Sequence, residues 1–221
     1  MHYVYKIEYL NDIQYGFTLQ KSTTDAAMAV KQFIGPELEK GKVVIMASLD
    51  VKGAFDAAWW PAILKGLREA KCPRNLYQLT QDYFKDRRAV VSFNSSTVEL
   101  KYINHTKAVA FADDLVIMTK AESTREAENI ANVELSKISA WADNNKIRFN
   151  EHKSKVMLMT RKKRKERNEI EIYLKNKPLN QVNSMMYLGI IFDSKLTFRE
   201  HVNYTAEKCT ELIFALSNQQ S

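Results

Sequence analysis

Two adjacent aspartates, Asp113 and Asp114, interrupt an otherwise apolar run from Ala108 to Met118. A carboxylate in apolar surroundings is costly unless its charge is compensated. Short runs rich in Val and Ile read as buried strands. The simplest geometry is therefore a hairpin, with a strand to Phe111, a turn at Ala112 to Asp114 and a strand from Leu115. Both carboxylates then project at one tight turn, where a divalent cation would hold them together. The plainer reading is that Asp is a good turn former. Asp50 is a second acidic position, at the end of the apolar run Val43 to Leu49. Alone, it reads as a cap on the turn after that strand. If the two strands are neighbours, three carboxylates converge. Hard cations such as Mg²⁺ take oxygen ligands of this kind, completed by water and substrate phosphates. Two such ions activate an attacking hydroxyl and stabilise the leaving oxygen of an in-line phosphoryl displacement.

The elements that must position these groups follow from periodicity and caps. Residues 1–21 look irregular. Ser22-Thr23-Thr24 caps a helix expected to run to about Phe33, with Ala27, Val30 and Phe33 inward. Val43 to Leu49 is a buried strand. Pro61 opens a helix carrying Ile63, Leu64 and Leu67, and Pro73 opens another with Leu76, Leu79 and Tyr83 on one face. Ala89 to Phe93 is a strand. Ser123 and Glu126 make a capping box for a long helix with Ala127, Ile130, Ala131, Leu135, Ile138 and Trp141 inward. Strands are expected over Lys155 to Thr160, Ile170 to Leu174 and Met186 to Phe192. Thr197 and Glu200 open a last helix, expected to bury Val202, Ala206, Cys209, Ile213 and Leu216. Strands and helices mix without strict alternation, which predicts an α+β fold with a mainly antiparallel sheet.

The 221 residues suffice for one large domain, or one plus part of a second, and 45% hydrophobic residues allow a sizeable core. A net charge of +7 favours an acidic partner, and nucleic acid is the usual one. Arg87-Arg88 and the run Arg161-Lys162-Lys163-Arg164-Lys165-Glu166-Arg167 would supply phosphate contacts; the run reads equally as a solvated loop. Cys72 and Cys209 form neither a disulfide framework nor a metal-ligand spacing, and read as packing residues. The first eight residues carry charges where a signal peptide needs its apolar stretch, and no apolar run reaches membrane-span length. The expectation is an intracellular chain, nuclear or cytoplasmic, with no membrane partner.

Five segments in order carry a resemblance. Gln14-Tyr15-Gly16-Phe17-Thr18 with Gln20-Lys21-Ser22-Thr23-Thr24 resembles a fingers motif lying along template and incoming nucleotide. Leu49-Asp50-Val51-Lys52-Gly53-Ala54-Phe55-Asp56 resembles a first catalytic motif, and Phe111-Ala112-Asp113-Asp114 an aspartate-pair motif. Asn150-Glu151-His152-Lys153-Ser154-Lys155 and Tyr187-Leu188-Gly189-Ile190-Ile191-Phe192 resemble segments after the long palm helix and before the thumb. Together they are similar to the reverse transcriptase of arthropod non-LTR retrotransposons, closest to the lineage inserting into ribosomal RNA genes. The resemblance implies a right-hand polymerase fold: a fingers-like segment over 1–42, a palm-like domain over 43–195 and the start of a thumb over 196–221. It implies RNA-directed DNA synthesis from an RNA template, a DNA primer and deoxynucleoside triphosphates, with Mg²⁺ or Mn²⁺ as cofactor. Asp50 and Asp113 would be the principal metal ligands, and Asp114 a supporting carboxylate. Lys153 would donate a proton to the leaving pyrophosphate, where a solvated lysine is the plainer reading. Gln14, Gly16, Phe17 and Lys21 would contact nucleotide or template. Gly16 reads equally as a turn residue, and Lys21 as a surface lysine. Phe55 would crowd the sugar 2′ position, or be an ordinary buried Phe.

One departure bears on activity. The family carries a Gln-Gly-Ser-type motif before the aspartate hairpin. Here Thr97-Val98-Glu99-Leu100 runs almost directly into Lys101-Tyr102-Ile103-Asn104-His105-Thr106-Lys107, and no Gly lies between Gly66 and Gly189. The expectation is an internal deletion near 100–101 and a chain ending early in the thumb, with little templated synthesis despite intact metal ligands. A non-catalytic nucleic-acid-binding remnant is the alternative. A Mg²⁺-dependent phosphoacceptor needs its acidic pair on an early strand of a parallel sheet, which the apparent hairpin does not match.

Overall fold

A computed structural model describes residues 12–53, 60–84, 105–162 and 169–217. In chain order the elements are α1 (Thr23–Glu39), β1 (Val43–Leu49), α2 (Trp60–Glu69), α3 (Arg74–Phe84), β2 (Thr106–Phe111) and β3 (Asp114–Ala121). They continue with α4 (Thr124–Asn144), β4 (Lys155–Met159), β5 (Tyr173–Leu174), β6 (Lys177–Pro178), β7 (Asn180–Gln181), β8 (Ser184–Tyr187), β9 (Ile190–Asp193) and α5 (Arg199–Ser217). Five strands form one sheet in the order β2-β3-β1-β4-β7, antiparallel except where β4 meets β7. This is the mixed, mainly antiparallel α+β arrangement that the sequence predicts. The strand expected over Ala89 to Phe93, Arg87-Arg88 and the 100–101 junction lie outside the described residues.

β1 runs through the middle of the sheet, and both its faces are covered. Val43, Ile45, Ala47 and Leu49 pack with Ile117, Val156 and Leu158 against Ala127, Ala131, Leu135 and Ile138 of α4. Val44 and Met46 face the other way, with Val109, Val116, Met118 and Met157, against Ala26, Val30, Ile34 and Leu38 of α1. A strand buried on both faces needs the unbroken apolar run that β1 has. Met46 is completely buried, so truncation there leaves a cavity costing about 2–5 kcal/mol.

Several elements differ from expectation for physical reasons. α1 starts at the expected cap, with a reciprocal Ser22–Asp25 capping box. It continues to Glu39 rather than stopping near Phe33, because burial of Ile34, Glu37 and Leu38 draws the helix through Pro36. Of Ile170 to Leu174, Tyr173–Leu174 alone is a strand. Ile170, Ile172 and Leu174 do alternate inward, but α4 side chains satisfy the neighbouring backbone. The Glu171 N–H donates to Glu128 Oε1 and the Tyr173 N–H to Asn132 Oδ1, both at 2.9 Å. The strand expected over Met186 to Phe192 is a hairpin, β8–β9, reversed at Leu188 (φ 50°) and Gly189 (φ 81°).

The last helix forms as expected but buries nothing along its length. Val202, Ala206, Cys209, Ile213 and Leu216 are exposed, which corrects their expected burial and that of Cys209 as a packing residue. Periodicity identifies an apolar face; it does not supply a partner for it. α5 meets the rest of the described fold at β9.

Candidate metal-binding active site

The acidic residues converge because β1 and β3 are neighbours. Their antiparallel register pairs Leu49 with Leu115, so the next residues out, Asp50 and Asp114, stand opposite each other. Opposed residues on antiparallel strands project to one face. Here it is the face of Val44 and Met46 on β1 and of Val116 and Met118 on β3. The two carboxylates therefore extend one apolar row at its rim, and Asp113 sits beside them in the turn. Asp50 is half-buried, and Asp113 and Asp114 are exposed.

The turn is tighter than expected. Phe111 pairs with Asp114, so Ala112 and Asp113 alone form the loop and Asp114 already belongs to β3. Ala112 has φ 55°. Positive φ at the first central residue is the II′ arrangement, a position that favours glycine. For alanine it costs on the order of 1–2 kcal/mol.

Each acidic strand end is braced from outside its own strand. The Asp50 N–H donates to Ser154 Oγ at 3.1 Å, and Asp50 C=O accepts from the Asn150 N–H at 2.7 Å. Ser154 is fully buried and its hydroxyl donates to Asn150 C=O at 2.8 Å. On the other side, the Tyr15 N–H donates to Ala110 C=O and the Ala110 N–H to Ile13 C=O, at 2.7 and 2.8 Å. Gln14 reaches Ala112 with its side-chain amide. Gly16 is buried against the same turn: a Cβ there would lie 2.3 Å from Ala112 N.

Electrostatics mark the cluster as one unit. Although Asp114 as a residue is exposed, partial burial of its carboxyl, then the charges of Asp113 and Asp50, push that carboxyl up from its ordinary value. Tyr187, at the end of β8, is 2% exposed, and its hydroxyl has no hydrogen-bond partner among the described residues. Burial, then the charge of Asp114, then Tyr15, hold that phenol well above its ordinary value. The charges of Asp50 and Asp113 thus both act on Asp114 at the half-solvated rim. Among the described residues, no group of three or more His, Cys, Asp or Glu side chains is placed to hold a metal ion by itself. Mg²⁺ commonly takes one or two carboxylates and fills its remaining positions with water and phosphate oxygens, so it does not require three protein ligands.

The other expected site residues divide into three groups. Gln14 and Gly16 lie at the aspartate turn. Lys21 lies on the same segment, where its ammonium donates to Asp12 C=O at 3.0 Å and Gln14 C=O at 3.1 Å and sits 4.6 Å from the Tyr15 ring centre. Phe17 is 79% exposed in the left-handed region (φ 58°), presenting its ring to solvent. Lys153 is exposed in the turn leading to β4, and its backbone N–H donates to Asn150 C=O at 3.2 Å. Phe55 lies outside the described residues. Sequence reasoning named no role for Ser154 or Tyr187; the available signal was a polar group at each apolar strand's end.

The sequence matches the reverse transcriptase (RNA-dependent DNA polymerase) family over residues 2–192. It is 24% identical over 226 residues to the RNA-directed DNA polymerase from mobile element jockey of Drosophila funebris, covering 86% of this chain and 24% of that protein. It is 25% identical over 230 residues to the putative 115 kDa protein in type-1 retrotransposable element R1DM of Drosophila melanogaster, covering 92% of this chain and 22% of that protein. The same figures hold for the retrovirus-related Pol polyprotein from type-1 retrotransposable element R1 of Bradysia coprophila. The chain spans about a quarter of the length of the curated relatives it matches.

Proposed function

Since this chain belongs to the reverse transcriptase (RNA-dependent DNA polymerase) family, we propose that its acidic rim is a two-metal nucleotidyl-transfer site for RNA-directed DNA synthesis. The observation that carries this reading is the register of β1 against β3, which sets Asp50 opposite Asp114 on one face with Asp113 beside them. Asp50 and Asp113 hold Mg²⁺ or Mn²⁺, and Asp114 supports them. When bound, the metal supplies activation of the primer hydroxyl and charge stabilisation at the leaving pyrophosphate.

The chain's own groups do the remaining work. Lys153, by the family resemblance, would supply a proton to the leaving pyrophosphate. An ammonium has three donors, and two of those on Lys21 are taken by carbonyls, so Lys21 offers its charge and a third donor to a phosphate. Phe17 offers an exposed ring for stacking on a base. By the family resemblance, Phe55 would crowd the sugar 2′ position. The substrates are an RNA template, a DNA primer and deoxynucleoside triphosphates. In this reading residues 1–42 are fingers-like, 43–195 palm-like and 196–221 the start of a thumb.

Metal titration tests the reading without requiring turnover. Mn²⁺ should bind the wild-type chain, and Asp50→Asn or Asp113→Asn should weaken binding at least tenfold while the circular dichroism spectrum is kept. Equal Mn²⁺ affinity in all three chains would overturn it.

A further inference from the structure

The turn carrying two of the three carboxylates is held in shape by a side chain almost a hundred residues away. Ala112 must keep φ near 55° for Asp113 and Asp114 to leave the hairpin where they do. Nothing in an alanine favours that angle. Gln14 supplies what the local sequence lacks. Its Oε1 accepts from the Ala112 N–H at 3.0 Å and from the Gly16 N–H at 2.9 Å, and its Nε2 donates to Ala112 C=O at 3.4 Å. One amide thus engages both backbone groups of the strained residue. The flanking bridge between Gln14 and Ala110 fixes the clamp's base, and Gly16 lets the two backbones meet with no side chain between them.

We propose that Gln14 is the positioning residue of the acidic site: it locks the left-handed turn at Ala112 and thereby sets where Asp113 and Asp114 present their carboxylates. The proposal rests on the reading of Asp50 and Asp113 as metal ligands given above. It assigns Gln14 a role different from touching the nucleotide, since both ends of its amide are committed to protein backbone. Metal sites with few protein ligands depend strongly on groups that orient those ligands.

The test uses the full chain with Gln14→Ala and with Gln14→Met, which keeps the side chain's length and bulk but none of its hydrogen bonds. Two readouts are taken: amide exchange at Ala112 and Gly16, and Mn²⁺ affinity. Both variants should exchange faster at these amides and bind Mn²⁺ about tenfold more weakly. Ala112→Gly, which accepts positive φ without help, should restore most of the Mn²⁺ affinity when added to either variant. A residue important only for folding would give no such rescue. Unchanged exchange in both variants, or wild-type Mn²⁺ affinity where Asp113→Asn has lost it, overturns the proposal. Mn²⁺ affinity indifferent to Asp113→Asn overturns the metal reading instead, and the clamp is then judged by exchange alone.

Discussion

Partial burial first, then the like charges of Asp113 and Asp50, raises the Asp114 carboxyl, and that fixes the sign of its pH dependence. An acid whose folded-state value is raised binds more protons folded than unfolded, so its contribution to stability falls as pH rises. Asp114→Asn should therefore raise the melting temperature near neutrality, and the gain should shrink as pH falls to about 4 and the carboxylates protonate. Mg²⁺ should raise the wild-type melting temperature for the same electrostatic reason. A destabilised Asp114→Asn chain at neutral pH would contradict this account. The aspartates could be read from the sequence because a charged pair in an apolar run needs a reason. The braces could not. Gln14 and Ala112 are 98 positions apart, and Ser154 and Asp50 104, so each contact exists only once the sheet has formed. Asp114's place inside β3 likewise depended on a turn type that an alanine does not advertise.

Among the elements, β8–β9 and α5 are joined by one carboxylate. Asp193 accepts from the backbone N–H groups of Lys195, Thr197 and Phe198 and from the Thr197 hydroxyl. Its partial burial favours the neutral form, but the backbone donors of Thr197 and Phe198, then Lys195 and the hydroxyl, outweigh it and hold the carboxyl below its ordinary value. A depressed acid stabilises the fold above its unfolded value and loses that contribution as pH falls through its folded one. Asp193→Ala should cost on the order of 1 kcal/mol near neutrality, by analogy with a lost helix cap, and less in acid. The apolar side of α5 behaves differently. Ile213 and Phe214 are 66% and 64% exposed, so Ile213→Ser and Phe214→Ser should leave thermal stability nearly unchanged, within about 0.5 kcal/mol. Met46→Ala on β1 should lower it by several times that amount. Helix α5 was legible from its caps and period, whereas its exposure was not, because a sequence pattern does not say which element lies against an apolar side. The β8–β9 reversal hid for a related reason: Leu188 carries positive φ inside a run that reads as continuous strand.

At the scale of the molecule, charge governs encounter and completeness governs turnover. With net charge +7, RNA–DNA hybrid should bind with an affinity that three or four phosphate contacts would reduce by about 40- to 150-fold between 50 and 200 mM salt. Filter binding across that range checks it, and a flat response would argue against phosphate contacts. Arg161 and Lys162 are exposed, so neutralising Arg161, Lys162, Lys163 and Arg164 together should reduce the salt slope. Primer extension by the purified chain should stay close to an Asp113→Asn blank, because no Gln-Gly-Ser-type segment precedes the hairpin to fix the nucleotide. Positioning errors of about 1 Å already cost on the order of a hundredfold in rate. Extension well above that blank would mean the sequence around 100–101 preserves a working nucleotide site. The bridge at Ala110 also decides where this protein can be cut. Among the described residues β2 is an edge strand of its sheet, and residues 13–15 cap its outer side while α1 shields the layer beneath. A shorter chain beginning at Val43 would bare an unpaired sheet edge together with the methionine-rich surface behind it, the pairing template that drives aggregation. Light scattering should find that piece self-associated, because the leading segment works as a sheath for the sheet layer that ends in the acidic residues.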